Sequence, residues 1–92
     1  MDNNYNVDQI RRIVLEYFDE RADSNWADEN ERLTCQYLDI GIVDSLGIIE
    51  MVLFFEKEFS VNFTPAQMQS ELFRTPGGLI VLLVDMIKKK KR

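Results

Sequence analysis

Two side chains in this 92-residue sequence stand where they could carry covalent chemistry, Ser45 and Cys35. Ser45 follows Asp44 at the opening of a dense helical pattern. Backbone N–H groups without an intrahelical partner and the positive end of the helix dipole favour an anion there, so a phosphate ester on Ser45 would be stabilised by the helix itself. Asp44-Ser45 also reads as a plain helix cap, because both side chains accept hydrogen bonds from first-turn N–H groups. Cys35 is the sole cysteine and the chain has no His, which removes every Cys–His or Ser–His nucleophile arrangement. An enzyme built on Cys35 therefore lacks a visible base. One cysteine also closes no internal disulfide and builds no Cys-ligated zinc cage. The acids of Asp23-Ser-Asn-Trp-Ala-Asp-Glu-Asn raise a calcium loop as an alternative, but the Asp-x-Asp-x-Asp-Gly order that such a loop demands is missing, and no metal site is expected.

The elements that must position these residues follow from hydrophobic spacing. Val7, Ile10, Ile13, Val14, Tyr17 and Phe18 recur at three- and four-residue intervals, predicting a first amphipathic helix over Asp8 to Arg21 with Asp8 as a plausible cap. From Ala22 to Val43 the period fades into a long ordered connection, pinned to the core by Leu33, Tyr37, Leu38, Ile40 and Ile42. A second helix runs from Asp44 to Phe59, and Thr64-Pro65 opens a short third helix to about Leu72. Thr75-Pro76 reads as an N-cap with Pro at the first helical position, ahead of a last helix that carries Leu79, Ile80, Leu83, Val84 and Ile87 on one side. The expected fold is all-α, a small four-helix bundle with a long first loop and a short third helix. It forms one domain over residues 1–87, followed by a basic tail, 88–92, that frays.

The second helix is apolar around more of its circumference than one core contact needs. At 100° per residue, Ile48, Met51, Val52, Phe55 and Phe59 fill an arc from about 140° to 240°, while Leu46, Ile49 and Leu53 fall beyond it at about 300° to 360° beside Glu50, Glu56 and Lys57. Either other elements cover both faces, or the second face is a docking surface for partners with basic patches.

Charge and composition bound the function classes. Residues 1–87 hold all 16 acids and six bases for a net −10, and Lys88 to Arg92 add +5. An acidic body repels phosphates, so no nucleic-acid role is expected. The first residues lack the charged and apolar regions of a signal peptide, and the longest apolar run, Leu79 to Val84, is far short of a membrane span. A cytoplasmic chain with no membrane insertion is the expectation.

The segment Gly41-Ile-Val-Asp44-Ser45-Leu46-Gly-Ile-Ile-Glu50-Met-Val-Leu-Phe-Phe-Glu56-Lys-Glu58-Phe59 resembles the acyl carrier protein family at its phosphopantetheine attachment motif and recognition helix. The resemblance covers about residues 38 to 87. It implies a four-helix bundle of the acyl-carrier type in which Ser45 receives 4′-phosphopantetheine from coenzyme A through a phosphopantetheinyl transferase. The arm's thiol then holds an acyl or aminoacyl group as a thioester for fatty acid, polyketide or related biosynthesis. By the same match Asp44 would help orient the transferase reaction and its metal, next to Ser45 and Leu46. Leu46, Ile49, Glu50, Leu53 and Glu56 would meet ligase, synthase or transferase partners through basic docking patches. The chain itself would be a monomer that catalyses nothing, making its cargo available by tethering it. Phe54, Phe55, Met51, Phe63 and Met68 would shelter an acyl chain between the second and third helices, or simply fill the core.

Lys57 departs from the acid common at its position in fatty-acid carriers. Two residues, Ile42 and Val43, separate Gly41 from Asp44 where those carriers commonly have one, and Gly47 follows Leu46. With Leu72-Phe73-Arg74-Thr75-Pro76, these features resemble the D-alanyl branch, which carries aminoacyl groups for cell-wall modification. Aminoacyl or peptidyl carriage in nonribosomal synthesis belongs to the same alternative. A non-carrier helical interaction module would keep the docking face but have no use for a modified Ser45.

Overall fold

The computed structural model describes residues 5–23 and 25–90, and every regular element among them is a helix. The first, α1, spans Val7–Ala22, and its cap is Asn6 rather than Asp8. Asn6 Oδ1 accepts from the Gln9 N–H at 2.8 Å while Gln9 Oε1 accepts from the Asn6 N–H at 3.0 Å, a reciprocal pair that satisfies two donors at the helix end. Asp8 sits inside the first turn, where its charge still meets the positive end of the dipole. Val7, expected in the core, is exposed, since the stripe that packs inward begins at Ile10.

The connection that follows contains a helix of its own, α2 (Glu29–Thr34), which raises the expected count of α-helices among the described residues from four to five. Its six residues bury no side chain, so no apolar period marks it in the sequence. Asp28 caps it by accepting from the Glu31 N–H at 2.8 Å. Arg32 then clamps it to α1, donating from Nη2 and Nε to the two Asp19 oxygens at 2.5 and 2.9 Å, and Trp26 Nε1 donates to the same carboxylate at 2.8 Å. Farther along, Tyr37 is fully buried, with Leu33 and Ile42 half-buried around the core. Leu38 and Ile40, expected to pin this stretch, are exposed instead.

Helix α3 spans Ser45–Phe59 with Asp44 as its cap, as the sequence predicts, and ends at Ser60 in the left-handed conformation. The short third helix expected to about Leu72 divides in two. Helix α4 covers Pro65–Met68 behind a Thr64–Gln67 capping pair, and a separate 3-10 turn covers Glu71–Arg74, started by Ser70 Oγ accepting from the Leu72 N–H at 3.1 Å. Helix α5 covers Pro76–Lys90, with Thr75 Oγ1 accepting from the Gly78 N–H at 3.0 Å as the Thr-Pro pair implies. It runs three residues past the boundary expected at Ile87. Lys89 pairs with Asp85 at 3.1 Å, and Lys90 Nζ donates to the Ser60 carbonyl at 2.8 Å. Lys91 and Arg92, the end of the tail expected to fray, lie outside the described residues.

Two different spacings hold these helices together. Helix α5 lies close against α1, α2 and the 3-10 turn. At Gly78 the approach is so tight that any Cβ would collide with the Leu72 carbonyl, which makes glycine obligatory there. Helix α3 stands off from α1 by a layer of aromatic rings. Tyr17 and Phe55 have centroids 5.1 Å apart, Tyr5 and Phe59 meet edge-to-face at 4.8 Å, and Phe18 lies against Tyr37 at 4.9 Å. Burying each such ring stabilises the fold by roughly 2–3 kcal/mol, so the ring layer, with the fully buried Met51, anchors the inner face of α3.

Candidate functional site

Asp44 sets the geometry around Ser45. The Asp44 backbone is extended, its Oδ1 accepts from the Gly47 N–H at 2.7 Å, and its carbonyl accepts from the Ile48 N–H at 2.9 Å. This cap takes up the third N–H of α3. The Ser45 and Leu46 N–H groups, ahead of it, belong to the first turn and have no carbonyl four residues back within the helix to serve them. Ser45 itself is exposed. The site thus presents a free hydroxyl beside two backbone donors at the positive end of a 15-residue helix, an arrangement that stabilises a negatively charged ester oxygen.

The turn that delivers Asp44 is organised by Tyr37. Its carbonyl accepts from both the Ile42 and Val43 N–H groups, at 3.0 and 3.2 Å, and its buried hydroxyl donates to the Phe73 carbonyl. Burial pushes the Tyr37 hydroxyl well above the ordinary tyrosine range, so it remains a donor at physiological pH. One residue, through its backbone carbonyl and its side chain, therefore ties the start of α3 to the 3-10 turn. Sequence spacing marks Tyr37 only as one core pin among several, because its partner lies 36 residues away and nothing local announces the contact.

Beside this turn lies a cleft of about 420 Å³, walled by Tyr37, Leu38, Ile48, Met68 and Phe73, with Asp39 and Arg74 among its polar lining. Ile48 is three residues beyond Ser45 and so stands on the same end of α3. Of the five residues expected to shelter an acyl chain, Met68 lines the cleft, whereas Met51, Phe55 and Phe63 are buried in the core. Phe54 lies elsewhere. One residue is 100° of helix, so with Phe55 turned to the core Phe54 emerges on the α1 flank, 41% exposed and stacked on Tyr17 with centroids 5.1 Å apart. The Arg21 guanidinium sits 3.5 Å from the centre of the same Tyr17 ring.

The outer face of α3 carries the expected ridge. Leu46, Ile49 and Leu53 are 67, 60 and 59% exposed, at spacings of three and four residues, with Glu50 exposed among them. Glu56 belongs to it less fully than the sequence suggests. It is half-buried, and its Oε2 accepts from the Phe63 N–H at 2.9 Å, closing the loop between α3 and α4. Its carboxylate has a structural duty that helical projection does not reveal.

Cys35 is buried at the end of α2, and burial, reinforced by the nearby Glu31 charge, pushes its thiol above the ordinary range. A thiol so held has little thiolate with which to attack a substrate. No family model matches the chain, and no curated protein or solved structure matches it.

Proposed function

We propose that the chain is a carrier protein that holds an acyl or aminoacyl group on a 4′-phosphopantetheine arm attached to Ser45. The observation that carries this reading is the juxtaposition at the start of α3: an exposed Ser45 hydroxyl, set behind the Asp44 cap and flanked by the exposed Leu46–Ile49–Leu53 ridge. A cap alone calls for no serine in the next position and no three large apolar side chains in water beside it.

The residues present fit the arm. Ser45 offers the hydroxyl that becomes esterified, and the first-turn N–H groups of Ser45 and Leu46 offer donors to the phosphodiester. When bound, the arm supplies a terminal thiol on which cargo is held as a thioester. Asp44 has one carboxylate oxygen on Gly47 and the second directed to no described partner, which leaves it able to orient the attaching enzyme's metal beside Ser45. Leu46, Ile49, Glu50 and Leu53 give partner enzymes an apolar contact rimmed by negative charge, suited to basic docking patches. The cleft bounded by Ile48, Met68 and Phe73 opens near the same helix end and is large enough for a short acyl group.

The test is incubation of the purified chain with coenzyme A and a broad-specificity phosphopantetheinyl transferase. The intact mass rises by one phosphopantetheinyl group, and Ser45→Ala abolishes the gain. An unchanged mass with several transferases would sink the carrier reading and leave an interaction module that uses the ridge alone.

A further inference from the structure

Five consecutive cations, Lys88 to Arg92, follow a body of net −10. Lys88, Lys89 and Lys90 are exposed on the last turn of α5. The bond from Lys90 Nζ to the Ser60 carbonyl places this basic group against the C-terminal end of α3. Ser45 opens that same 15-residue helix, about 20 Å away at 1.5 Å per residue. The cations and the proposed attachment site therefore occupy opposite ends of α3.

An apolar groove adjoins the cations. Val7 of α1 and Ile80, Val81 and Val84 of α5 line it, and Lys88 stands at its edge. Val7 and Val81 are each more than half exposed. Asp85, the acid on this stripe, is engaged by Lys89 and so is partly neutralised. Basic side chains bordering exposed aliphatic ones suit the interface of an anionic bilayer, where phosphates meet the ammonium groups and the headgroup boundary takes the valines. A nucleic acid satisfies only the charges, and gives the valines nothing to bury against.

We propose that the Lys88–Lys90 turn and the Val7–Val81–Val84 groove dock this chain on an anionic phospholipid surface, without inserting, with Ser45 held at the far end of α3. The acidic span 16–58, with 12 acids and three bases, is repelled by the same surface, which favours the orientation that turns the Ser45 end of α3 toward the solution in which partner enzymes arrive. The lipid contact involves no modified residue, so it stands or falls separately from the carrier reading.

The test is co-sedimentation of the full unmodified chain with vesicles of phosphatidylcholine alone and of phosphatidylcholine mixed with phosphatidylglycerol. The chain pellets with the mixed vesicles and not with the zwitterionic ones, and about 0.5 M salt, which shortens the Debye length to roughly 4 Å, releases it. Each cation near such a surface contributes about fivefold, so Lys88→Gln/Lys89→Gln weakens partition at least tenfold. Val81→Ser weakens it severalfold while retaining the salt response. All three positions are exposed, and unchanged circular dichroism confirms an intact fold in each variant. Failure to pellet with the mixed vesicles, equal pelleting with both kinds, or an unaffected double variant would overturn the proposal. Tighter binding to duplex DNA than to the mixed vesicles would overturn it too, assigning the basic turn to nucleic acid.

Discussion

Asp44 Oδ1 and the Gly47 N–H lie 2.7 Å apart, and the two residues enclosed between cap and donor are Ser45 and Leu46. The fit at Gly47 is close: a Cβ there would stand 3.1 Å from Asp44 Oδ1 and from a Val43 methyl, so those side chains would have to give by a few tenths of an ångström. The cap and the candidate site share one carboxylate, and substitution can separate their roles. Asp44→Ala loses the cap at a cost of about 1 kcal/mol, a fall in Tm of about 4–8 °C for a domain of this size. Asp44→Asn keeps an equivalent cap acceptor and most of the stability, yet lacks the charge needed to orient a metal. Thermal melts paired with the rate of phosphopantetheine attachment check this: Asn retains Tm and loses rate.

The ridge on α3 separates binding from folding in a similar way. Leu53→Ala and Glu50→Lys alter exposed side chains, so each changes stability by no more than about 0.5 kcal/mol. Transfer to a partner enzyme falls about tenfold or more in each, as for a contact at the centre of an interface. Met51→Ala, two residues before Leu53 but fully buried, costs about 2–5 kcal/mol by leaving a cavity. Urea unfolding beside a transfer assay distinguishes the two behaviours; a Leu53→Ala protein that unfolds would return that residue to the core.

Glu56 makes a sharper case because it faces both ways. If its main duty is the bond from the Phe63 N–H, Glu56→Gln, which keeps an acceptor oxygen, leaves stability nearly intact, while Glu56→Ala costs about 1 kcal/mol. Partner transfer in the Gln variant falls less than in Glu50→Lys. Denaturation midpoints and transfer rates measured on the two Glu56 variants give the comparison.

Acid should loosen α2 from α1 through the Asp19 carboxylate. The Arg32 hydrogen bonds, joined by the Trp26 N–H and opposed by burial, hold Asp19 below the usual carboxylate range. The unfolded chain therefore takes up a proton at Asp19 at a higher pH than the folded chain does. The stability this confers is fully present above about pH 4 and is lost as pH falls through the lower folded-state value. Thermal melts from pH 6 to 2.5 show Asp19→Asn less stable than the parent at neutral pH and converging with it in acid, with Trp26 fluorescence reporting the local change.

The two faces of α3 are legible in the amino-acid sequence because 15 residues of one helix hold enough large apolar side chains to define two arcs, and the ring layer against α1 keeps that helix in the orientation its period dictates. Helix α2 is not legible in this way, since it has no fully buried residue, its one apolar side chain, Leu33, is half-buried, and it is held to α1 by the tertiary bond between Arg32 and Asp19, 13 residues apart. The cleft escapes sequence reasoning for the same reason. Its walls come from the connection, α3, α4 and the 3-10 turn, and the bond that joins them, from Tyr37 to Phe73, has no local signature. Phe54 and Glu56 show the limit of helical projection: it places a residue on a face, while the neighbours that Tyr17 and Phe63 supply decide what the residue does there.

Site-resolved mass spectrometry after reaction with coenzyme A and a phosphopantetheinyl transferase tests the central claim most directly. The tryptic peptide 33–57 contains Ser45 as its only serine. The account predicts that this peptide alone gains one phosphopantetheinyl group, on Ser45, and that the Ser45→Ala chain, folded as judged by circular dichroism, gains none. A parent chain that stays unmodified, or a Ser45→Ala chain that is still modified, would contradict it.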